Sequence, residues 1–294
     1  NNDISNKFFW ATIGGMGLTG IILKATISLL KIETKFMKVD TYKFQDLNSL
    51  MEFMKTRDKN YSYSVAWIDS LNKKGRGILT CGEHAQQKDL NKKYSNSLSY
   101  ESKNFLKTPN FIPNGLLNKV TVKVFNELWF RKSLPLKNEI QDLNKFFYPL
   151  DAISNWNRIY GLEGFYQYQF VIPEKNNYFV SKALNKLKNS YSYSFLTVLK
   201  RFGNRNNAYL SFPQPGWTLS VDLPANNKNI LNVLNELDKE LAELGGKIYL
   251  AKDLRQSSET FKKTYDFYNN WKSIKYEMDP KNIFQSDLSI RLNL

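Results

Sequence analysis

Thiol and imidazole chemistry are almost absent from this chain. Its 294 residues hold one cysteine, Cys81, and one histidine, His84. A single cysteine excludes an internal disulfide, so nothing in the sequence requires an oxidising compartment. Cys81 and His84 form a Cys-x-x-His pair, but without further soft ligands this argues against a zinc site, and the pair reads as part of a surface loop. Acidic residues are the minority charge, 27 against 42 Lys and Arg, leaving a net charge of +15. The basic residues are scattered in pairs such as Lys73–Lys74, Lys92–Lys93, Arg131–Lys132 and Lys262–Lys263, among many Asn. With no basic arm and no nucleic-acid motif, a solvated Lys/Asn-rich surface is favoured over a polyanion-binding face. A phosphorylated lipid at a membrane surface would also benefit from this charge. An uninterrupted membrane-length apolar run is missing too. Residues 8–30 are strongly apolar, but Lys24 and four glycines break them, and what remains is shorter than the ~18 residues a span needs. Residues 1–7 lack the basic start and cleavage pattern of a signal peptide.

What is present describes a globular protein with a substantial core: 42% hydrophobic and 15% aromatic residues, in a chain long enough for one large or two ordinary domains. Its most informative stretch is 164–173, GFYQYQFVIP. Alternation along a strand sends Gln167 and Gln169 to one face and Tyr166, Tyr168 and Phe170 to the other. Two neighbouring amides need hydrogen-bond partners, which water, a neighbouring strand or a bound polyol can each provide. Residues 193–202, YSFLTVLKRF, put Lys200 in phase with Leu196 and Val198, and 217–224, WTLSVDLP, put Thr218, Ser220 and Asp222 opposite Trp217, Leu219 and Val221. Three strands thus offer one polar patch on a sheet with an apolar reverse, a composition that suits a sugar-like ligand.

Around these strands the periodicity predicts strands over 35–40, 61–69, 119–130 and 247–252, and helices over 44–55, 177–187, 230–244 and 257–278. Residues 75–113 and 134–164 have weak periodicity and read as irregular, the first as a lid or insertion. Strands that do not alternate singly with helices predict an α+β fold with a largely antiparallel sheet covered by helices.

Gly15, Gly17 and Gly20 match G-x-G-x-x-G. The Rossmann fingerprint places a strand before those glycines and a helix after, whereas here residues 3–13 read as a helix and 21–30 as a strand. The glycines therefore mark a tight turn with close backbone approach, either to packing or to a cofactor.

The segment FWATIGGMGLTGIILKATI resembles the flavin domain of the decaprenylphosphoryl-β-D-ribose oxidases, in the vanillyl-alcohol-oxidase-like FAD superfamily. The likeness continues in order through IPNGLLNKVTVKVFNELWFRKS, FFYPLDAISNWNRIYGLEGFYQYQFVIP, YSFLTVLKRFG, LSFPQPGWTLSVDLP, YLAKDLR and DPKNIFQSDLSIRL. It implies a substrate domain over 34–247, with 1–33 and 248–294 belonging to the FAD-binding domain, and a preceding lobe that carries the diphosphate-binding loops. It implies non-covalent FAD, near Gly14, Gly15, Gly17, Gly20, Ile22 and Tyr249, with Lys252 at the pyrimidine edge. It further implies that Lys200, with Lys252, carries the chemistry, and that Gln167, Gln169, Thr218, Ser220, Phe147, Arg158 and Trp67 surround the substrate. Three positions depart from the pattern: Ser220 stands where actinobacterial members have cysteine, Phe147 where they have tyrosine, and Thr218 where they have asparagine.

The activity implied is oxidation of the 2-hydroxyl of a polyprenyl-phospho-β-D-ribose. A short-chain reductase would complete epimerisation to the arabinose lipid. The protein would be peripheral to the inner membrane, on its cytoplasmic or periplasmic side, with no nucleic-acid partner. The alternatives are another FAD-linked sugar or alcohol oxidase, and a non-enzymatic basic polyanion-binding domain.

Overall fold

The computed structural model describes residues 4–91, 98–100 and 106–294. In chain order the elements are α1 (Ile4–Thr12), β1 (Phe36–Phe44), α2 (Leu47–Arg57), β2 (Tyr63–Ile68), β3 (Gly77–His84), β4 (Leu106–Lys107), α3 (Lys119–Lys132), β5 (Leu136–Asp142), α4 (Leu143–Phe147) and β6 (Ile153–Ser154). There follow β7 (Phe165–Pro173), α5 (Tyr178–Asn189), β8 (Thr197–Phe202), β9 (Gly216–Pro224), α6 (Ile230–Glu243), β10 (Lys247–Ile248), α7 (Ser258–Thr264), α8 (Tyr268–Met278) and α9 (Asp287–Leu292). Eight strands form one sheet in the order β10-β7-β9-β8-β2-β3-β1-β5, and every pairing in it is antiparallel. The fold is α+β, as the sequence predicts.

One face of the sheet is apolar because alternation delivers Ala66, Leu79, Cys81, Tyr168, Phe170, Leu199, Trp217, Leu219 and Val221 to it, and α2, α5 and α6 cover that face. The stripe of α6, with Ile230, Val233, Leu234, Leu237 and Leu241 buried, is the one read from the sequence, and it ends before Gly245, whose φ is +75°. A second cluster joins the two ends of the chain. Ala11 and Leu18 pack with Leu250, Phe261, Tyr265, Trp271 and Leu292. Gly15 belongs to this packing. A Cβ there would lie 2.3 Å from the Ala11 carbonyl oxygen and 3.3 Å from the Trp271 indole nitrogen, which donates to that same carbonyl at 2.9 Å. Gly15→Ala is expected to lower stability by about 1–3 kcal/mol through overpacking, read as a lower thermal midpoint. An unchanged midpoint would show that α1 can shift away from α8.

Several sequence expectations are corrected. Residues 119–130 are not a strand but most of α3. The Val120-Val122-Val124 alternation suggests period two, but Asn118 caps a helix by accepting from the Val120 and Thr121 amides. Tertiary packing then buries Val122, Asn126 and Phe130 at a spacing of four. Residues 21–30 form no strand; they have no regular secondary structure and are exposed, without a strand partner among the described residues. Within 75–113, residues 77–84 are a strand between β2 and β1, hidden from periodicity because much of its length is buried. The remainder of that lid reading includes 92–97 and 101–105, which lie outside the described residues.

Cys81 and His84 are therefore not in a surface loop. Cys81 is buried against the helices, where burial first and then Asp58 and Asp40 push its thiol up to about 12, so it is unreactive. His84 lies on the opposite face beside the Tyr63 hydroxyl, 3.3 Å from Nε2. Residues 134–164 contain β5, α4 and β6 rather than an irregular loop. The helix expected over 257–278 is two, parted where the Tyr265 hydroxyl donates to the Ile248 carbonyl at 2.7 Å. The strand expected over 247–252 stops at Ile248 and becomes a tight turn over Leu250–Lys252.

Candidate functional site

The sheet face opposite the helices carries the polar patch. Register places Gln167 opposite Asp222 and Gln169 opposite Ser220, on β7 and β9. It places Thr218 opposite Lys200 and Ser220 opposite Val198, on β9 and β8, and Trp67 opposite Val198 on β2. Directly opposed residues in an antiparallel pair share a face, so Gln167, Gln169, Lys200, Thr218, Ser220, Asp222 and Trp67 all project to one side. The two amides find their partners across the strand: Gln169 Nε2 donates to Thr218 Oγ1 at 3.0 Å, and Gln167 Nε2 to Asp222 Oδ1 at 3.1 Å.

Lys252 comes from outside the sheet. The Tyr249 amide still donates to the Gln169 carbonyl at 2.9 Å, and the turn then closes with Lys252 N–H on the Tyr249 carbonyl at 3.1 Å. That bend carries the Lys252 ammonium onto Ser220 Oγ, 3.1 Å away. Residues three apart on a straight strand would have faced opposite ways; the end of β10 is what lets Lys252 join the patch. Tyr249 itself stacks on Phe212 at 4.6 Å between ring centroids.

The charges are tuned by burial. Lys252 is held below the ordinary lysine range, by desolvation first, with Asp222 opposing and Lys200 assisting. Asp222, 1% exposed, has its carboxyl pushed up to about 6 by burial, against the Gln167 hydrogen bond and the Lys252 charge. Among the described residues one oxygen, Asp222 Oδ2, has no hydrogen-bond partner, and neither has the buried hydroxyl of Tyr160. Burial and the Asp222 charge together push the Tyr160 phenol up. Tyr160 stacks on Phe165 of β7 at 4.2 Å. Lys200 is exposed.

Other residues expected at the site make contacts of their own. Trp67 points its indole N–H at the Phe195 carbonyl, 2.9 Å away. Phe147 sits in an aromatic cluster with Tyr63 and Phe146, each at 4.9 Å, at the β2–β3 end of the face. Arg158 donates to Asn110 Oδ1 at 2.6 Å. No hydrogen bond or ring contact links Phe147 or Arg158 to Lys252, Gln169 or Asp222 among the described residues. Gly14, Gly17 and Gly20 have positive φ, and open space lies where a Cβ of Gly17 or Gly20 would point. Ile22 is exposed.

Asp222 and Tyr160 are the residues that sequence reasoning leaves out of the site. Alternation puts Asp222 in phase with Ser220, but the signal for its role is its burial within electrostatic reach of the Tyr160 phenol. That is a tertiary property.

The donor set is the kind a flavin pyrimidine edge requires: an ammonium with protons to spare, the Gln169 amide one pair position away, and a stacked Phe212–Tyr249 wall beside them. Among the described residues no group of three His, Cys, Asp or Glu could hold a metal, and no helix is long and apolar enough to cross a membrane.

Comparison with known proteins agrees with the motifs. Residues 165–292 match the D-arabinono-1,4-lactone oxidase family, a span that contains both glutamines, Lys200, Thr218, Ser220, Asp222 and Lys252. Over 294 residues, 98% of this chain, the sequence is 40% identical to a decaprenylphosphoryl-β-D-ribose oxidase of Mycolicibacterium smegmatis, of which it covers 64%. Over 305 residues, 99% of this chain, it is 27% identical to a Streptomyces coelicolor protein described as "Uncharacterized protein in mprA 5′ region", of which it covers 82%. The chain thus spans just under two thirds of the length of the oxidase it resembles.

Proposed function

We propose that this chain is the substrate-facing part of a FAD-dependent oxidase that converts the 2-hydroxyl of a polyprenyl-phospho-β-D-ribose to the 2-keto sugar. The observation that carries this reading is the desolvated Lys252 ammonium on Ser220, flanked by Gln169 and by the buried carboxylate of Asp222. FAD would be held non-covalently, by 1–33 and 248–294 together with the lobe that the longer relatives imply. When bound, the flavin supplies a two-electron acceptor for the carbinol hydride.

The chain's own residues do the rest. Lys252 would supply positive charge beside the flavin when it is bound, where negative charge develops. Lys200 reaches the reacting hydroxyl from the exposed end of the patch and orients it, while Gln167, Gln169 and Thr218 hold the neighbouring sugar hydroxyls. Asp222, aimed by Gln167, takes the hydroxyl proton at Oδ2 once substrate binding opens that buried oxygen, so hydride and proton leave the carbinol by separate routes. Trp67, Phe147 and Arg158 line the outer wall, and Ser220 replaces thiol chemistry with a plain hydrogen bond. A short-chain reductase acting on the ketone would finish the epimerisation. A lipid-linked substrate also places the enzyme at a membrane surface, on the cytoplasmic or periplasmic side of the inner membrane.

Anaerobic flavin reduction in the full-length enzyme tests the reading. Reduction by a polyprenyl-phospho-ribose analogue, and not by free aldonolactones, is the expected result. The reverse preference would favour the second reading, a sugar-lactone oxidase of the kind named by the 165–292 match.

The role of Asp222 has its own test. Its folded-state pKa is raised from 3.8 to about 6, so the base is competent only above that range. Flavin reduction should therefore slow as pH falls through about 6, and Asp222→Asn should remove this limb and cost about tenfold at neutral pH. Stability has the opposite sign. A raised carboxyl pKa means folding stability is lost as pH rises between about 4 and 6, so the variant should be more stable than wild type at pH 7. A retained acid limb in Asp222→Asn would assign the proton to another group.

A further inference from the structure

Helix α3 is apolar on two sides. Val122, Asn126 and Phe130 are buried, and the helix is held there by Asn126 Nδ2 on Asp69 Oδ1 at 2.7 Å and by Arg76 on Glu127 at 2.6 Å. That accounts for one stripe. On the solvent side Val120, Val124, Phe125, Leu128 and Trp129 are 41–68% exposed, and at about 100° per residue they cover roughly half the circumference. A helix apolar all round is normally enclosed on all sides. Phe125 and Trp129 stack with ring planes 9° apart, forming a flat aromatic ledge, and Leu116 and Leu134 extend the exposed apolar surface at the two ends.

The charge on the helix is mainly basic. Lys119, Lys123, Arg131 and Lys132 lie on the helix, and its one acid, Glu127, is occupied by Arg76 and Arg131. Lys119, Lys123 and Lys132 form no ion pair among the described residues. Large apolar side chains including Trp, bordered by free ammonium groups on long stems, match the boundary between headgroups and acyl chains of an anionic bilayer. A soluble acidic partner would use the lysines but leave the leucine and valines unexplained, and nucleic acid would find the apolar arc in its way. At 14 residues the helix is about 21 Å long and suits lying in the surface rather than crossing it.

We propose that α3 is a membrane-docking helix, which inserts Val120, Val124, Leu128 and Trp129 into an anionic lipid surface while Lys119, Lys123 and Lys132 meet the headgroups. This deepens the membrane contact proposed above, but docking needs no substrate, so it can fail or succeed independently of the oxidase reading.

The test is co-sedimentation of the full protein with vesicles of phosphatidylcholine alone or mixed with phosphatidylglycerol. Wild type should bind the mixed vesicles, more weakly as salt is raised, and leave the neutral ones in the supernatant. Val124→Glu with Leu128→Glu should weaken binding at least about tenfold, and Lys123→Glu with Lys132→Glu similarly. All four positions face solvent, so far-ultraviolet circular dichroism should be unchanged. Flavin reduction by detergent-dispersed substrate should also be unchanged in both variants. Equal binding to neutral vesicles, wild-type binding by the Val124→Glu/Leu128→Glu variant, or a wild type that dimerises through this face instead of binding lipid, would each overturn the proposal.

Discussion

Lys252→Met in the full-length enzyme should lower the rate of anaerobic flavin reduction about a hundredfold or more, with little change in substrate binding. Methionine keeps most of the side-chain length and removes the ammonium, so the substitution isolates charge. Removing one oriented group beside developing negative charge costs roughly 3 kcal/mol of transition-state stabilisation. The stability readout has the opposite expectation. Lys252 is charged at a cost, since desolvation holds its pKa below the ordinary range. Folding stability linked to such a group grows as pH rises toward the ordinary lysine range. The methionine variant should therefore match or exceed wild type in thermal midpoint at neutral pH. A variant that loses activity and stability together would point to misfolding of the 250–252 turn. One that is reduced at wild-type rate would remove Lys252 from the mechanism. Ser220→Ala, which deletes only the 3.1 Å anchor of the ammonium, should have a several-fold effect and retain the methionine variant's stability trend.

The largest stability effect is expected at Arg255, three residues beyond Lys252. Its guanidinium forms a two-pronged pair with Asp238 of α6, at 2.6 and 2.9 Å, and Asp238 also accepts from the Tyr168 hydroxyl at 3.1 Å. Asp238 is 2% exposed. Arg255→Ala would strand that carboxylate without its cation, a loss of about 3–5 kcal/mol for a buried pair. The pH dependence fixes the cause. Burial already raises the Asp238 pKa, with Arg255 the main opposing influence. Without Arg255 it rises further, so the folded state of the variant is penalised progressively as pH rises above about 4. The gap from wild type in urea unfolding should be widest near neutrality and shrink toward pH 4. Asp238→Asn in the Arg255→Ala background should recover much of it. A loss below about 1 kcal/mol at pH 7, or one independent of pH, would mean that water or Asn235 replaces the missing partner. Because this pair ties the segment after Lys252 to α6, Arg255→Ala should also slow flavin reduction modestly.

The reach of sequence reasoning here follows the reach of periodicity. Alternation in 165–173 and 216–224 is a local property, set by which face each side chain must take once the strand is extended. It was enough to put Gln167, Gln169, Thr218, Ser220 and Asp222 on one side and Trp217 and Leu219 on the other. The leucine stripe of α6 was equally legible, because its burial repeats at the helix period. The sequence by itself therefore determined the α+β class, the polar face and most of the residues on it.

Only the tertiary structure decided what depends on neighbours distant along the chain. β3 lost its period because side chains on both of its faces, Ile78 on one and Leu79 and Cys81 on the other, are buried. α3 overrode an alternating valine pattern because the Asn118 cap and the buried Val122–Asn126–Phe130 stripe favour a helix. The same rule brings Lys252 itself across β7 to Ser220. Asp222 shows the limit most directly. Its position on the face follows from alternation, but its raised pKa follows from desolvation by groups many residues away, and desolvation has no local sequence signature.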